Sequence, residues 1–211
     1  MKKYDAIIFD LDGTLWDSSE TVCSSWNAVI DQNNYNCPHI KPDELKALMG
    51  RPMMDFIRKF FPFANEDNGE KILDECSVSE IAYIKKYGGN LFEGVPEVLE
   101  TLSEKYPLFI VSNCQDGYIE AFLEHHELEE CFSGILCPGK NGPSKGRNIL
   151  TICEKFNCKN AVYVGDTQTD ADACEEAGVD FIFAGYGFGN PDKYVRKVES
   201  FYELGQIFIE D

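Results

Sequence analysis

Basic residues are scarce in this sequence. Its 211 residues include 19 lysines and arginines against 37 aspartates and glutamates, so the formal net charge is −18. A polyanion gains nothing from the release of counterions on DNA or RNA, and we therefore expect no nucleic-acid partner. The same charge argues against binding to anionic membrane surfaces. An anionic substrate would need strong local positive charge, from a metal ion or from a few basic side chains.

Long hydrophobic runs and paired cysteines are also lacking. No stretch approaches the length of a transmembrane helix, and the N-terminal apolar run Ala6–Phe9 is too short for a signal peptide. The nine cysteines are an odd number and include no Cys-x-x-Cys pair. We expect free thiols in a reducing cytosol, and therefore a cytoplasmic protein, in place of a disulfide or zinc framework.

Short apolar runs of strand length recur along the chain. They lie at Ala6–Phe9, 108–112, Ala161–Gly165 and 179–184. A run that is apolar throughout suits a strand buried on both faces, as in a parallel sheet. After residue 90 these runs alternate with helical stripes, the first of which begins at Val95. Strand–helix alternation of this kind predicts an α/β fold with a doubly wound, Rossmann-like parallel sheet.

Residues 16–88 interrupt this alternation. Apolar side chains recur there at helical spacing, as in Val22, Trp26, Val29 and Ile30, and no strand is evident. The simplest interpretation is a small all-helical cap domain inserted after the first strand. We therefore predict two domains, an α/β core of residues 1–15 and 89–211 and a helical cap of residues 16–88.

Polar residues follow three of the predicted strands. The first strand leads into Asp10-Leu11-Asp12-Gly13-Thr14, the second into Ser112-Asn113, and the third into Asp166, with Asp170 four residues further on; Lys145 begins the helix before the third strand. Ligands bind at the carboxyl ends of the strands in sheets of this type. Several carboxylates meeting there would repel one another unless a cation lay among them. Oxygen ligands without histidine or cysteine favour Mg²⁺ over zinc.

The order of these motifs resembles that of the haloacid dehalogenase (HAD) superfamily. Asp-x-Asp-Gly-Thr after an apolar strand, then Ser-Asn, a lysine and Gly-Asp-x-x-x-Asp, extend over nearly the whole chain. The helical segment 16–88 is similar to the family's small C1-type cap. The resemblance is to phosphoglycolate phosphatase-like and β-phosphoglucomutase-like members, and it implies a phosphatase.

The resemblance also implies roles for the acidic residues. Asp10 matches the nucleophile, which is also a metal ligand. Asp12 matches the general acid and base, which also binds the metal through its backbone carbonyl. Asp166 matches a metal ligand, and Asp170 matches the second acidic residue of the last motif, either a ligand or a neighbour of the ligands. Asp166 could instead cap the following helix, and Asp170 could be an acidic residue of its first turn that the helix dipole favours.

Phosphate binding is expected from a second group of residues. Ser112 matches the family's phosphate-binding hydroxyl and has Asn113 beside it, and Lys145 matches the cation that steadies the phosphoryl group. Gly13 would let backbone N–H groups approach phosphate oxygens, and Thr14 would help to hold that turn.

The roles of two further basic residues are left open by the sequence. Lys140 lies in the same glycine-rich segment as Lys145 and is the alternative active-site lysine. Arg51, in the turn Met49-Gly50-Arg51-Pro52, could bind a substrate anion from the cap or be a solvated arginine at a helix start.

The predicted function is Mg²⁺-dependent hydrolysis of a small phosphorylated metabolite through an aspartyl phosphate on Asp10. A phosphomutase of the same family would return the phosphoryl group to another hydroxyl, and the sequence does not separate the two. A phospho-acceptor signalling domain would use a similar set of residues, but the helical insert and the pair Asp10 and Asp12 argue against it. We expect a monomer or a weak homodimer.

Overall fold

A computed structural model of the chain describes residues 3–139 and 142–209. Its strands are β1 (Ala6–Phe9), β2 (Trp16–Asp17), β3 (Asn90–Leu91), β4 (Leu108–Val111), β5 (Gly134–Leu136), β6 (Ala161–Gly165), β7 (Asp180–Ala184) and β8 (Arg196–Val198). Its helices are α1 (Ser19–Asn33), α2 (Pro42–Lys46), α3 (Met53–Phe60), α4 (Gly69–Tyr87), α5 (Val95–Ser103), α6 (Tyr118–His126), α7 (Lys145–Phe156), α8 (Gln168–Ala177) and α9 (Phe201–Ile209), with a 3₁₀ turn at Glu129–Cys131.

The larger sheet is parallel and has β1 near its centre. Within the described residues it has six strands in the order β5-β4-β1-β6-β7-β8, and every pairing between neighbours is parallel. Side chains alternate across β1, so that Ile7 and Phe9 pack in one hydrophobic cluster and Ala6 and Ile8 in a second one on the opposite face. Helices cover both faces. The predicted doubly wound α/β fold class is confirmed.

Helices α1 to α4 occupy the segment between β2 and β3. Helices α1 and α4 pack against each other, and Trp26 of α1 lies fully buried among the rings of Phe56, Phe60 and Phe61. The absence of strands expected for 16–88 is wrong at its first two residues, because Trp16–Asp17 forms β2 and pairs antiparallel with β3. This short ribbon joins the two points at which the chain enters and leaves the helical segment.

Several predicted bounds shift by a few residues. Strand β4 ends at Val111, before Ser112, and β7 begins at Asp180. Pro42 and Gly50 predict a short helix between them, but α2 ends at Lys46 and the chain continues through a turn to Gly50, whose φ of 80° suits glycine. Among the helices described, none is long and apolar enough to cross a lipid bilayer.

Burial of a valine side chain determines how much its replacement by alanine lowers the free energy of unfolding. Val162 in β6 is fully buried, whereas Val78 on α4 is 71% exposed. We expect Val162→Ala to lower the free energy of unfolding by about 2 kcal/mol, since it removes buried methyl groups and leaves a cavity. Val78→Ala should change it by less than about 0.5 kcal/mol. Urea unfolding followed by circular dichroism measures both, and equal losses would contradict this packing.

Candidate active site

The sheet order brings three predicted motifs to one edge. Strands β4, β1 and β6 are neighbours, and their carboxyl ends lead into Ser112, Asp10 and Asp166 respectively. Because all three strands are parallel, these side chains share the edge at which such sheets bind ligands. Asp10 and Asp166 are buried, at 2% and 0% exposure, and Ser112 is 5% exposed.

Lys145 lies between two of the buried carboxylates. Its Nζ atom donates to Asp10 Oδ1 at 3.0 Å and to Asp170 Oδ1 at 2.7 Å. Burial alone would lower the pKa of this ammonium, but the charges of Asp10 and Asp170 outweigh it and hold the pKa above its ordinary value. Lys145 is the first residue of α7, as its predicted place at a helix start requires. Lys140 lies outside the described residues.

Asp170 uses both of its carboxylate oxygens within the protein. Oδ1 accepts from Lys145 and from the hydroxyl of Tyr163, and Oδ2 accepts from the backbone N–H groups of Asp166 and Thr167 and from Thr167 Oγ1. The residue therefore lies in the first turn of α8, in a capping box with Thr167, and also anchors Lys145. Thr167, and not Asp166, caps this helix. Such extensive hydrogen bonding suits a residue that positions its neighbours better than it suits a direct metal ligand.

The two carboxylate oxygens of Asp166 differ in their contacts. Its Oδ2 accepts from the backbone N–H groups of Phe188 and Gly189, at 2.6 and 3.3 Å, while the buried Oδ1 has no hydrogen-bond partner among residues 3–139 and 142–209. Burial, followed by the charges of Asp170 and Asp10, raises the pKa of Asp166 well above its ordinary value. An unpartnered buried carboxylate oxygen is costly unless a ligand occupies it.

The chemistry of this cluster fits a hard divalent cation. Asp10, Asp166 and Asp170 each place one carboxylate oxygen within 4.8 Å of the others. Gly13 lies close to the same cluster, because a Cβ atom at this position, with φ 82°, would come within 2.9 Å of Asp166 side-chain atoms. Oxygen ligands in this arrangement suit Mg²⁺.

Asp12 is held by two hydroxyl groups. Its Oδ1 accepts from Ser18 Oγ at 2.5 Å and from the Tyr118 hydroxyl at 2.9 Å. Desolvation raises the pKa of Asp12 to about 6, although these hydrogen bonds oppose the shift. A carboxyl group with this pKa can exchange a proton near neutral pH. Sequence reasoning missed Ser18 and Tyr118, since a serine at a helix start and a helical tyrosine carry no distinctive pattern.

The remaining phosphate-binding candidates lie nearby. Ser112 lines a cavity of about 40 Å³ together with Asp10 and Asp12. Asn113 lines the same cavity, but its side-chain amide donates to the backbone oxygen of Gly50 at 2.9 Å. Thr14 Oγ1 is buried and has no hydrogen-bond partner among the residues described, and the Thr14 backbone oxygen accepts from the Tyr186 hydroxyl.

Arg51 reaches the same cavity from the helical segment. Its side chain is exposed and lines the cavity mouth directly after Gly50. The turn packs closely on the core, because a Cβ atom on Gly50 would lie 2.9 Å from Thr167 Oγ1. Both expectations for Arg51, an anion-binding group or a solvated arginine, fit this position.

The three histidines, His39, His125 and His126, lie outside every motif, which predicts surface or loop positions for them, and one of them differs. His126 is in the last turn of α6, partly buried, and its ring packs edge-on against Trp16 at 5.6 Å between ring centroids. Burial lowers its pKa to about 4. Apolar contacts with neighbouring rings explain why this imidazole is enclosed although it lies outside the motifs.

Fold and site together define an α/β enzyme with an acidic site at the carboxyl edge of a parallel sheet. The chain belongs to the haloacid dehalogenase-like hydrolase family, whose model matches residues 7–184. It is 28% identical over 200 residues to a phosphoglycolate phosphatase of Haemophilus influenzae, covering 88% of each chain. It is 23% identical over 196 residues to a 5'-nucleotidase of Pseudomonas aeruginosa, covering 90% of this chain and 87% of the other.

A solved structure shares the fold over the whole length. A haloacid dehalogenase-like family hydrolase from Streptococcus pneumoniae is similar with a TM-score of 0.84 and 22% identity, covering 99% of this chain and 100% of the other. At that identity the similarity is evidence for the fold alone. The predicted family and the predicted enzyme class, a phosphatase, are confirmed by the family match and the curated relatives.

The buried ion pairs of Lys145 lead to a stability prediction. Lys145→Ala leaves Asp10 and Asp170 buried without their cation, and we expect it to lower the free energy of unfolding by about 3–5 kcal/mol. Lys193→Ala removes the cation of an ion pair with Glu175 in which both side chains are about 70% exposed, and should have little effect. Chemical denaturation of both variants at neutral pH tests this, and similar stabilities would contradict the buried arrangement.

Proposed function

We propose that the chain is a Mg²⁺-dependent phosphatase that hydrolyses a small phosphomonoester through an aspartyl phosphate on Asp10. The observation that carries this proposal is the meeting of Asp10, Lys145 and Asp166 at one buried point, with Asp12 lining the same cavity as Asp10. Phosphoryl transfer needs little more than placement and compensation of charge, and this arrangement offers both.

Asp10 is the nucleophile in this proposal. Burial and the charge of Asp170 raise its pKa to about 7, while the contact with Lys145 opposes that rise and favours the ionised, nucleophilic form. A carboxylate oxygen of Asp10 forms a bond to phosphorus as the bond from phosphorus to the ester oxygen breaks. Lys145 stays at hydrogen-bond distance from Asp10 and compensates part of the negative charge.

Asp12 transfers the protons. In its neutral form it donates a proton to the leaving alkoxide and becomes a carboxylate. That carboxylate then removes a proton from a water molecule, which attacks phosphorus and releases inorganic phosphate and free Asp10. Ser18 and Tyr118 hold the Asp12 side chain through both steps.

Mg²⁺ would be held by Asp10, Asp166 and the backbone carbonyl of Asp12. The unpartnered Oδ1 of Asp166 is the feature that fits it best. When bound, the ion supplies positive charge that lowers the repulsion between an anionic nucleophile and an anionic ester. Asp170 would act through Lys145, since its oxygens already accept hydrogen bonds within the protein.

The two-domain division is part of the proposal. We retain a core of residues 1–15 and 89–211 and a cap of 16–88, with the ribbon of β2 and β3 at the boundary. The contact from Asn113 to Gly50 brings the cap turn to the cavity. The names of two relatives, a phosphoglycolate phosphatase and a 5'-nucleotidase, support a phosphorylated metabolite as the substrate. The oligomeric state, a monomer or a weak homodimer, stays a prediction.

Removal of divalent cations tests the metal. We expect the purified protein to release inorganic phosphate from p-nitrophenyl phosphate in Mg²⁺, to stop in EDTA, and to recover when excess Mg²⁺ is added back. The physical reason is that the buried carboxylates repel an anionic ester when no cation lies among them. Turnover that persists in EDTA would exclude a metal requirement.

Substitution of the two aspartates tests their roles. Asp10→Asn should abolish turnover, and Asp12→Asn should lower kcat by about 10²–10⁴-fold because the leaving group and the attacking water both lose their proton carrier. Asp172→Asn, at an exposed position on α8, is the matched control and should keep full activity. A fully active Asp12→Asn enzyme would refute the proton-transfer role.

A further inference from the structure

A buried glutamate of the helical segment faces the active-site cavity. Glu80 on α4 is only 3% exposed and lines the cavity that Asp10 and Asp12 also line. Its Oε2 accepts from the indole Nε1 of Trp26 at 2.5 Å. Enclosing a carboxyl group is unfavourable, and the contacts with Trp26 and Gln115 compensate only part of that cost, because burial still raises the pKa of Glu80. No step of the proposed reaction uses this residue.

Gln115, from the loop after β4 in the core, lines the same cavity. It follows β4 by four residues and is 9% exposed, yet within the described part of the chain neither its Nε2 nor its Oε1 has a hydrogen-bond partner. It is close enough to Glu80 to influence the pKa of that carboxyl, although no hydrogen bond of normal geometry joins them. A buried amide offers two donor hydrogens and an acceptor oxygen. A pair of unused polar atoms beside a cavity indicates a bound polar group.

The remaining lining of the cavity determines which groups are tolerated there. Apolar side chains from the helical segment, including Trp26, Leu45 and Phe56, form its wall. The acidic groups are Asp10, Asp12 and Glu80, and the basic side chain among the lining residues described is Arg51. Arg51 is exposed, so solvent and salt weaken its field, whereas Glu80 is enclosed. A carboxylate beside Glu80 would place two like charges in a desolvated space.

We propose that Glu80 and Gln115 form a subsite for the alcohol part of the substrate, and that this subsite selects a small phosphomonoester bearing a hydroxyl or ammonium donor over one bearing a carboxylate. This inference rests on the proposed phosphatase function and assigns its substrate class. Burial raises the pKa of Glu80 to about 7, so its carboxyl is ionised and accepts hydrogen bonds at mildly alkaline pH. The donor of the substrate binds Glu80, and Gln115 binds a second polar atom.

A matched series of substrates tests the subsite. Hydroxyethyl phosphate, phosphoethanolamine, phosphoglycolate and propyl phosphate are similar in size and differ mainly in the terminal group, and phosphate release gives kcat/KM for each at mildly alkaline pH. We expect one or both donor-bearing esters to exceed phosphoglycolate and propyl phosphate by about tenfold or more. The first two esters separate a hydroxyl from an ammonium preference.

Two variants separate binding from folding. Glu80→Gln keeps the shape and removes the charge, and it should reduce the preference for the donor-bearing ester over phosphoglycolate by about tenfold. Glu70→Gln makes the same change at an exposed position of α4 and should leave the preference unaltered. Equal losses on all four esters in Glu80→Gln would show a structural role and overturn the subsite.

If the Glu80→Gln variant fails to fold, the substrate series on the wild-type enzyme still tests the subsite. Phosphoglycolate turned over as well as the donor-bearing esters would overturn the subsite. Turnover of p-nitrophenyl phosphate with none of hydroxyethyl phosphate or phosphoethanolamine would do the same and leave the proposed phosphatase intact. No turnover of any of these esters in Mg²⁺ would instead contradict the phosphatase proposal itself.

Discussion

The concentration of negative charge at the carboxyl edge of the sheet is the constraint on which the site depends. Asp10, Asp166 and Asp170 hold carboxylate oxygens within 4.8 Å of one another in a region shielded from water. Lys145 compensates two of these groups directly. The free oxygen of Asp166 marks where further positive charge is needed. Binding of an anionic ester to a protein of net charge −18 also needs local positive charge. The same cations would therefore stabilise the buried carboxylates and bind the substrate.

The fold explains how charged residues from distant parts of the chain come together at this site. Three parallel strands at the centre of the sheet end at the same level, and the loops after them carry the acidic residues. Helix α7 starts at Lys145 and places its ammonium between Asp10 and Asp170. The helical segment closes the cavity from the other side through the turn at Gly50 and the buried Glu80. Reaction chemistry would therefore reside in the core, and substrate choice in the contacts that the helices add.

Sequence patterns predicted the elements that are buried on both faces and missed those at the margins. Strand β1 is apolar throughout, so its run is distinctive, whereas edge strand β8 presents the exposed basic residues Arg196 and Lys197 and resembles a loop. The motif residues could be found because they follow strands in a family order. Ser18 and Gln115 could not, because their importance comes from tertiary contacts with Asp12 and with the cavity, which local spacing does not encode.

The central claim is that Asp10 carries the phosphoryl group during turnover. The most direct measurement is acid quenching of the enzyme during turnover, reduction of any acyl phosphate with borohydride, and peptide mapping by mass spectrometry. The account predicts that the reduced residue is found at position 10, in amounts that rise with substrate and disappear in EDTA. Modification at another residue, or none at all while phosphate is being released, would contradict it.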